Sequence, residues 1–175
     1  MKKVLIVVDY QVDFVNGSLG FADAEKLDEK IAQKIQQYHT HQDTVIFTLD
    51  THSSTYLETW EGKHLPVTHC IREEEGWRLY GQTAKMRLPE DVVLEKPTFG
   101  SLALANYLQQ QQFDQVELVG LVSHICVFSN AVLAKAALPE AEIIVDAACC
   151  DSFDHDLQDK VWDILSSNYI QIRNR

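Results

Sequence analysis

Six short runs of β-branched and apolar residues recur along this chain, and stretches with helical spacing separate most of them. The runs cover residues 4–8, 44–49, 92–94, 116–119, 142–145 and 169–172. They are nearly continuous and do not alternate between polar and apolar residues, a pattern typical of parallel strands buried on both faces. The sequence therefore predicts a doubly wound α/β fold, with a six-stranded parallel sheet and helices on both faces.

The rest of the chain is consistent with one α/β domain spanning residues 1–175. Apolar residues spaced for one helical face begin at Leu27, Leu102, Val127 and Leu157. Residues 51–88 differ, because they form a long polar segment that is rich in His and Trp, and such connections are usually functional. Since ligands bind at the carboxyl ends of the strands in such sheets, we expect chemistry at the residues that follow the runs. These residues are Asp9, Asp50, Lys96, Cys126 and Asp146.

Charge and composition exclude several classes of partner. The chain has 15 Lys and Arg residues against 26 Asp and Glu, a net charge of -11, which argues against nucleic acid or an anionic membrane surface as a partner. The apolar run before Asp9 is too short for a signal peptide or a membrane span. We therefore expect a cytoplasmic protein with its cysteines reduced, and we expect the adjacent Cys149 and Cys150 to pack at a strand end.

Three candidate catalytic residues follow three different runs. Cys126 opens an apolar stretch with helical spacing, where the positive end of a helix dipole would lower its pKa. Asp9 could exchange a proton with that thiol, and Lys96 could stabilise a thiolate or an oxyanion. Taken singly, the three residues also suit a core cysteine, a turn cap and a solvated surface charge.

A second group of residues has the chemistry of metal ligands. Asp50 and His52 lie one residue apart on an extended segment, so their side chains point to the same side. Glu61, His64 and His69 follow in the long polar segment. Carboxylates and imidazoles together suit Zn²⁺, Mn²⁺ or Fe²⁺. Spacing alone is equally compatible with loop histidines that bind no metal.

Three ordered motifs resemble the isochorismatase-like cysteine hydrolases, and among them the nicotinamidases. Residues 9–14, DYQVDF, are similar to the family's opening Asp-x-Gln-x-Asp-Phe. Residues 96–101, KPTFGS, are similar to its Lys-x-x-x-Ser/Gly turn, and residues 120–127, GLVSHICV, to its Gly-Val-x-Thr-Asp-x-Cys-Val elbow. The resemblance covers nearly the whole chain. It implies the fold predicted above, a small-molecule amide substrate and a possible homo-oligomer.

The resemblance also implies roles for individual residues. Asp9, Lys96 and Cys126 would form the catalytic triad of a hydrolase that works through a cysteine thioester. A cis peptide bond is implied between Leu121 and Val122, and the amides of Val122 and Cys126 would form the oxyanion hole.

The same resemblance implies one divalent metal ion, with zinc as the first candidate. Asp50, His52 and His69 match the expected ligand positions. Glu61 is the implied fourth ligand, shifted by one residue in spacing, and His64 is the competing candidate.

The implied reaction is the hydrolysis of nicotinamide to nicotinic acid and ammonia. Phe14, Leu121 and Val122 are expected to contact the substrate, and Trp60 or Trp77 is expected to pack on its ring.

Two departures from the family pattern bear on the substrate. Ser123 and His124 stand where the family has Thr-Asp, and Thr51 stands where it has Trp. They leave two alternatives open. One is a cysteine hydrolase of another small amide or carbamoyl compound, and the other is a catalytically silent member that binds a ligand or a protein partner.

Overall fold

The computed structural model describes all 175 residues and contains one six-stranded sheet in which every strand is parallel to its neighbours. The strands are β1 Lys3–Val8, β2 Thr44–Asp50, β3 Val92–Lys96, β4 Gln115–Gly120, β5 Glu142–Cys150 and β6 Gln171–Arg173. Their order in the sheet is β3-β2-β1-β4-β5-β6. The predicted doubly wound α/β fold is confirmed.

Seven α-helices connect the strands. They are α1 Val12–Val15, α2 Asp28–Thr40, α3 Trp60–His64, α4 Gly81–Met86, α5 Leu102–Gln111, α6 Phe128–Ala137 and α7 His155–Ser167. Side-chain caps explain where three of them begin: Thr59 Oγ1 accepts the amide of Gly62 at α3, Ser101 Oγ accepts the amide of Leu104 at α5, and Asp154 Oδ1 accepts the amide of Leu157 at α7. No helix combines the length and apolar content needed to cross a membrane.

Two apolar layers cover the sheet, and β1 contributes to both. Val4, Ile6 and Val8 face a layer that includes residues of α5, α6 and α7, whereas Leu5 and Val7 face a layer that includes residues of α2. Alternate residues of a strand point to opposite faces, so a strand between two layers must be apolar at nearly every position. This requirement explains the continuous apolar runs in the sequence.

The prediction for one strand end was wrong. β5 continues past Asp146 to Cys150, so Asp146 lies inside the strand and not at its carboxyl end. Asp146 aligns with Arg173 of β6, and after a bulge Cys150 aligns with Gly120 of β4, so the strand continues beyond the apolar run. Cys149 and Cys150 are buried at the strand end, as predicted.

The order of the strands reverses between β1 and β4, and this reversal positions the site. In a doubly wound sheet a crevice opens at the carboxyl ends of the two strands on either side of the reversal. Asp9 follows β1 directly, and Gly120 ends β4 on the other side. Asp50 and Lys96 end the neighbouring strands β2 and β3 and are partners in register.

Candidate active site

Three predicted side chains meet above the carboxyl edge of the sheet. The Nζ atom of Lys96 lies 2.6 Å from Asp9 Oδ2 and 3.6 Å from Cys126 Sγ. All three residues are buried. The fold therefore brings together a carboxylate, a cation and a thiol that are distant in the sequence.

Asp9 is held from one side, which leaves one carboxylate oxygen available. Its backbone has a φ of 45°, in the left-handed region that Asp tolerates better than most residues. Oδ1 accepts a hydrogen bond from Thr48 Oγ1 at 2.6 Å. Oδ2 contacts the Lys96 ammonium and receives no further hydrogen bond. The carboxylate of Asp9 can therefore accept a proton at Oδ2.

The ammonium of Lys96 stays charged although it is buried. It donates to Asp50 Oδ1 at 3.1 Å and to the carbonyl of Thr98 at 3.0 Å. Burial opposes the charge, but the negative charges of Asp9 and Asp50 outweigh it and raise the pKa of Lys96 well above its ordinary value. Lys96 therefore supplies a permanent positive charge beside the sulfur atom.

The predicted fall in the pKa of Cys126 was wrong for this structure. Burial raises the pKa of the Cys126 thiol well above its ordinary value; Lys96 opposes the rise, while Asp9 adds to it by charge and hydrogen bonding. Burial also raises the pKa of the Asp9 carboxyl, against the opposing charge of Lys96. Cys126 therefore becomes a nucleophile when a base takes its proton, and Asp9, which contacts the same ammonium, is the candidate base.

The turn that carries Cys126 has an unusual backbone. Residues Ser123–Val127 form one π-helical turn ahead of α6. The peptide bond between Leu121 and Val122 is cis, as predicted. The amide of Val122 donates to no backbone or side-chain acceptor of the protein, so it is free to bind a ligand oxygen.

Asn130 joins this turn to the loop after Lys96, and sequence reasoning missed it. Its Nδ2 atom donates to the carbonyls of Cys126 at 2.8 Å and Phe99 at 3.0 Å, and its Oδ1 atom accepts the amide of Ser101 at 2.9 Å. Asn is unfavourable inside a helix unless its side chain makes such bonds. An Asn within the helical pattern after Cys126 was therefore the sequence signal for this role.

Four predicted metal ligands form a compact cluster. One ligand atom from each of Asp50, His52, Glu61 and His69 lies within 4.8 Å of the others. Asp50 Oδ2 is 3.0 Å from His52 Nε2 and 3.4 Å from His69 Nε2. His64 lies outside this cluster, since it is exposed and its Nδ1 atom bonds to the carbonyl of Trp60. The structure thus favours Glu61 over His64 as the fourth donor.

The chemistry of the cluster fits a divalent cation. Burial raises the pKa of the Glu61 carboxyl, and the nearby charge of Asp50 raises it further. A cation between the two carboxylates would relieve that repulsion. His69 Nδ1 bonds to the carbonyl of Val67 at 2.8 Å, which directs the lone pair of Nε2 towards the cluster. Two nitrogen and two oxygen donors suit zinc and its neighbouring transition metals.

Two further residues support the cluster, and the sequence reasoning did not assign them. The side-chain amide of Gln11 accepts the amide of Asp50 at 2.8 Å and donates to its carbonyl at 3.0 Å. The buried ring of Tyr56 packs against His52 and His69, with centroid distances of 4.7 and 4.9 Å. Gln11 belongs to the opening motif at residues 9–14, and this membership was the sequence signal for its role.

A cavity of about 460 Å³ joins the two groups. Its polar wall includes Asp50, Glu61, His69 and Cys126. Its apolar wall contains Phe14, Leu19, Phe21, Leu65, Phe99, Val122, Ile125 and Phe153. A cavity with four Phe rings and one polar wall suits a small aromatic molecule that carries a reactive polar group.

The residues expected to contact the substrate line the cavity only in part. Phe14 and Val122 line the cavity, whereas the side chain of Leu121 is fully buried and does not. Neither predicted Trp lines it: Trp60 is 79% exposed and packs on His64, and Trp77 donates to Thr51 Oγ1. The aromatic rings that sequence reasoning missed are Phe21, Phe99 and Phe153.

Comparisons with known proteins agree with this geometry. A family model described as the Isochorismatase domain matches residues 3–173. A nicotinamidase from Acinetobacter baylyi is 25% identical, with 98% of this chain and 92% of that protein covered.

Solved structures show the same fold. The pyrazinamidase/nicotinamidase of Streptococcus mutans has a TM-score of 0.87 at 25% identity, covering 98% of this chain and 99% of its own. The pyrazinamidase of Pyrococcus horikoshii, solved in complex with zinc, has a TM-score of 0.85 at 21% identity, covering 98% of each chain.

Proposed function

The chain belongs to the isochorismatase family and is an amide-hydrolysing enzyme, and we propose that it converts nicotinamide to nicotinic acid and ammonia. One observation carries the proposal: a single cavity holds the thiol of Cys126 and donors of the four-residue metal cluster. A thiol suits attack on a carboxamide carbon, and the cluster suits recognition of a ring nitrogen nearby.

The first step forms a thioester. Asp9 accepts the thiol proton of Cys126 at Oδ2, and the sulfur atom attacks the carboxamide carbon. Asp9 then returns the proton to the nitrogen as the carbon–nitrogen bond breaks, and ammonia leaves. Burial raises the pKa of Asp9, which suits a group that must both take and give a proton near neutral pH.

Backbone amides and Lys96 stabilise the charge that develops in this step. The N–H groups of Val122 and Cys126 would bind the oxyanion, and one such donor contributes a factor of about 10²–10³ in turnover. Lys96, 3.6 Å from Cys126 Sγ, stabilises the sulfur as its proton leaves.

The second step releases the acid. Asp9 accepts a proton from a water molecule, which attacks the thioester carbon and breaks its bond to sulfur. The proton returns to Cys126, nicotinic acid leaves, and the enzyme is restored.

Asp50, His52, Glu61 and His69 would hold one divalent metal ion, with Zn²⁺ first and Mn²⁺ or Fe²⁺ as alternatives. When bound, the ion supplies a Lewis acid for the pyridine nitrogen. The bond from Lys96 to Asp50 connects this cluster to the catalytic group, so both ends of the substrate are positioned by one network.

Ammonia release from nicotinamide by the purified zinc-loaded protein tests the proposal, with the metal content measured on the same sample. We expect turnover by the natural chain and none by Cys126→Ala at an unchanged melting temperature.

If the natural chain hydrolyses another small amide or carbamoyl compound but does not hydrolyse nicotinamide, the assignment of nicotinamide as the substrate is rejected. Inertness towards all amides, together with a Cys126 that resists a mild alkylating agent, would instead indicate a silent ligand-binding member.

A further inference from the structure

An aromatic contact between two loops forms the outer wall of the cavity. Phe21 precedes the short turn Ala24–Leu27, and Phe153 lies between β5 and α7. Their ring centroids are 6.1 Å apart at an angle of 77°, and both rings line the cavity. Phe153 is nevertheless 61% exposed. The ring of Phe153 therefore presents apolar surface both to the solvent and to the cavity.

His124 holds Phe153 in this position. Its ring meets that of Phe153 edge-on, with the centroids 5.1 Å apart. Its Nδ1 atom lies 2.7 Å from Ser152 Oγ, which also bonds to the amide and the carbonyl of Asp154. The turn that carries Phe153 is therefore fixed by the residue that replaces the Asp of the family motif. A carboxylate at this position would offer no ring to pack against Phe153.

The proposed substrate is a single ring that carries one carboxamide group. We take the carboxamide to be at Cys126 and the ring nitrogen to be directed to the metal cluster. Ring carbon 5 is meta to the nitrogen and to the carbon that carries the carboxamide. A substituent on that carbon therefore points away from the chemistry. The cavity of about 460 Å³ has the size of pockets that bind ligands larger than a single ring.

Resting on the proposed amidase function, we propose that Phe21 and Phe153 form a subsite for a flat apolar substituent on the ring of the substrate. His124 is a positioning residue for Phe153. The favoured substrates are pyridine carboxamides that carry an aromatic group on carbon 5. One aromatic contact of this kind contributes a factor of about ten in affinity.

Competing hydrolysis of two amides by the zinc-loaded enzyme tests the subsite. The measured quantity is kcat/KM for 5-phenylnicotinamide divided by kcat/KM for nicotinamide. We expect Phe153→Ala to lower this ratio about tenfold. Tyr169→Ala removes an aromatic side chain that is 85% exposed and does not line the cavity, and it should leave the ratio unchanged.

An unchanged ratio in Phe153→Ala would overturn the subsite, as would a natural enzyme that hydrolyses nicotinamide and rejects the phenyl compound. If neither amide is hydrolysed, the proposed function fails, and a binding measurement then decides the subsite. Calorimetry of 5-phenylnicotinamide with zinc-loaded Cys126→Ala should give a Kd about tenfold lower than with the same protein carrying Phe153→Ala.

Two substitutions at His124 separate positioning from general stability. His124→Asn keeps a polar group for Ser152 but loses the ring, and it should lower the substrate ratio. His124→Phe keeps the ring and loses the hydrogen bond, and it should retain the ratio. If both variants change the melting temperature and neither changes the ratio, His124 has a structural role alone.

Discussion

Two lysines in this protein each contact two buried carboxylates, and the two groups differ in what lies beside the lysine. Lys96 contacts Asp9 and Asp50 at the carboxyl edge of the sheet. Lys34, on α2, contacts Glu117 of β4 at 2.7 Å and Asp146 of β5 at 2.5 Å.

The group around Lys34 is closed. Tyr38 donates to the second oxygen of Glu117 at 2.7 Å, and Asn174 donates to the second oxygen of Asp146 at 2.9 Å. Each carboxylate oxygen has a partner. The group therefore connects α2 with two strands and has a structural role.

The group around Lys96 is open. Asp9 Oδ1 accepts from Thr48 and Oδ2 contacts the ammonium, but here the ammonium also contacts the thiol of Cys126, and a cavity adjoins Cys126 and Asp50. A buried ion pair alone does not mark an active site, since both lysines have one. The marks are a nucleophile in contact with the lysine and space for a substrate.

The largest expected effect comes from exchanging sulfur for oxygen in the open group. Cys126→Ser should lower kcat for amide hydrolysis by about 10⁴-fold or more, because a hydroxyl at this position lacks a base matched to its much higher pKa. Cys149→Ser, which alters a buried thiol next to the closed group, should retain activity. Comparable losses in the two variants at equal folded fractions would contradict the assignment of Cys126.

Removing each lysine charge tests the comparison directly. Lys96→Met should lower kcat/KM by about 10²–10³-fold, since the developing charge loses its cation. Lys34→Met should leave kcat/KM within about threefold but reduce the free energy of unfolding by about 3–5 kcal/mol, because two carboxylates lose their buried partner. Kinetics and urea unfolding of both proteins measure the two effects, and a catalytic loss in Lys34→Met would remove the distinction.

The metal cluster, which shares Asp50 with the open group, gives a smaller effect. Glu61→Gln should weaken zinc binding by at least about 10–100-fold, because a neutral amide replaces an anionic donor. Glu117→Gln removes a carboxylate from the closed group and should leave zinc affinity unchanged. Titration of the apo proteins against a competing chelator measures both. Equal affinities in the natural chain and Glu61→Gln would exclude Glu61 as a ligand.

Local sequence was sufficient for the sheet and for most of the open group. The strands between two apolar layers had to be continuous apolar runs, so their order along the chain was predictable. Asp9, Asp50 and Lys96 end or directly follow these runs, and the carboxyl edge brings them together.

Properties that depend on tertiary packing were not predictable from local sequence. The pKa of Cys126 is raised by burial, whereas its position ahead of a helix predicted a fall. Phe21 and Phe153 lie in loops without any periodicity, and their contact exists because two distant loops meet at the cavity. Asp146 follows an apolar run, yet the pairing of Cys150 with Gly120 of β4 continues the strand beyond it.

The smallest expected effect is the acid dependence of the closed group. Burial opposes the charge of Asp146, but hydrogen bonds from Lys34 and Asn174 prevail and lower its pKa in the folded state. A carboxyl with a lowered pKa stabilises the fold above its unfolded pKa of about 3.9, and this contribution is lost as the pH falls towards the folded pKa. Asp146→Asn should therefore reduce the free energy of unfolding at pH 7 by about 1–3 kcal/mol.

The same variant should also flatten the fall in stability below about pH 5, since it removes one group that takes up a proton on unfolding. Urea unfolding between neutral and acidic pH measures the slope. Asp163→Asn changes a carboxylate that is 72% exposed and should leave the slope nearly unchanged. An equally steep slope in Asp146→Asn and the natural chain would show that folding does not lower the pKa of Asp146. In that case the contrast between the two lysine groups would rest on the thiol and the cavity alone.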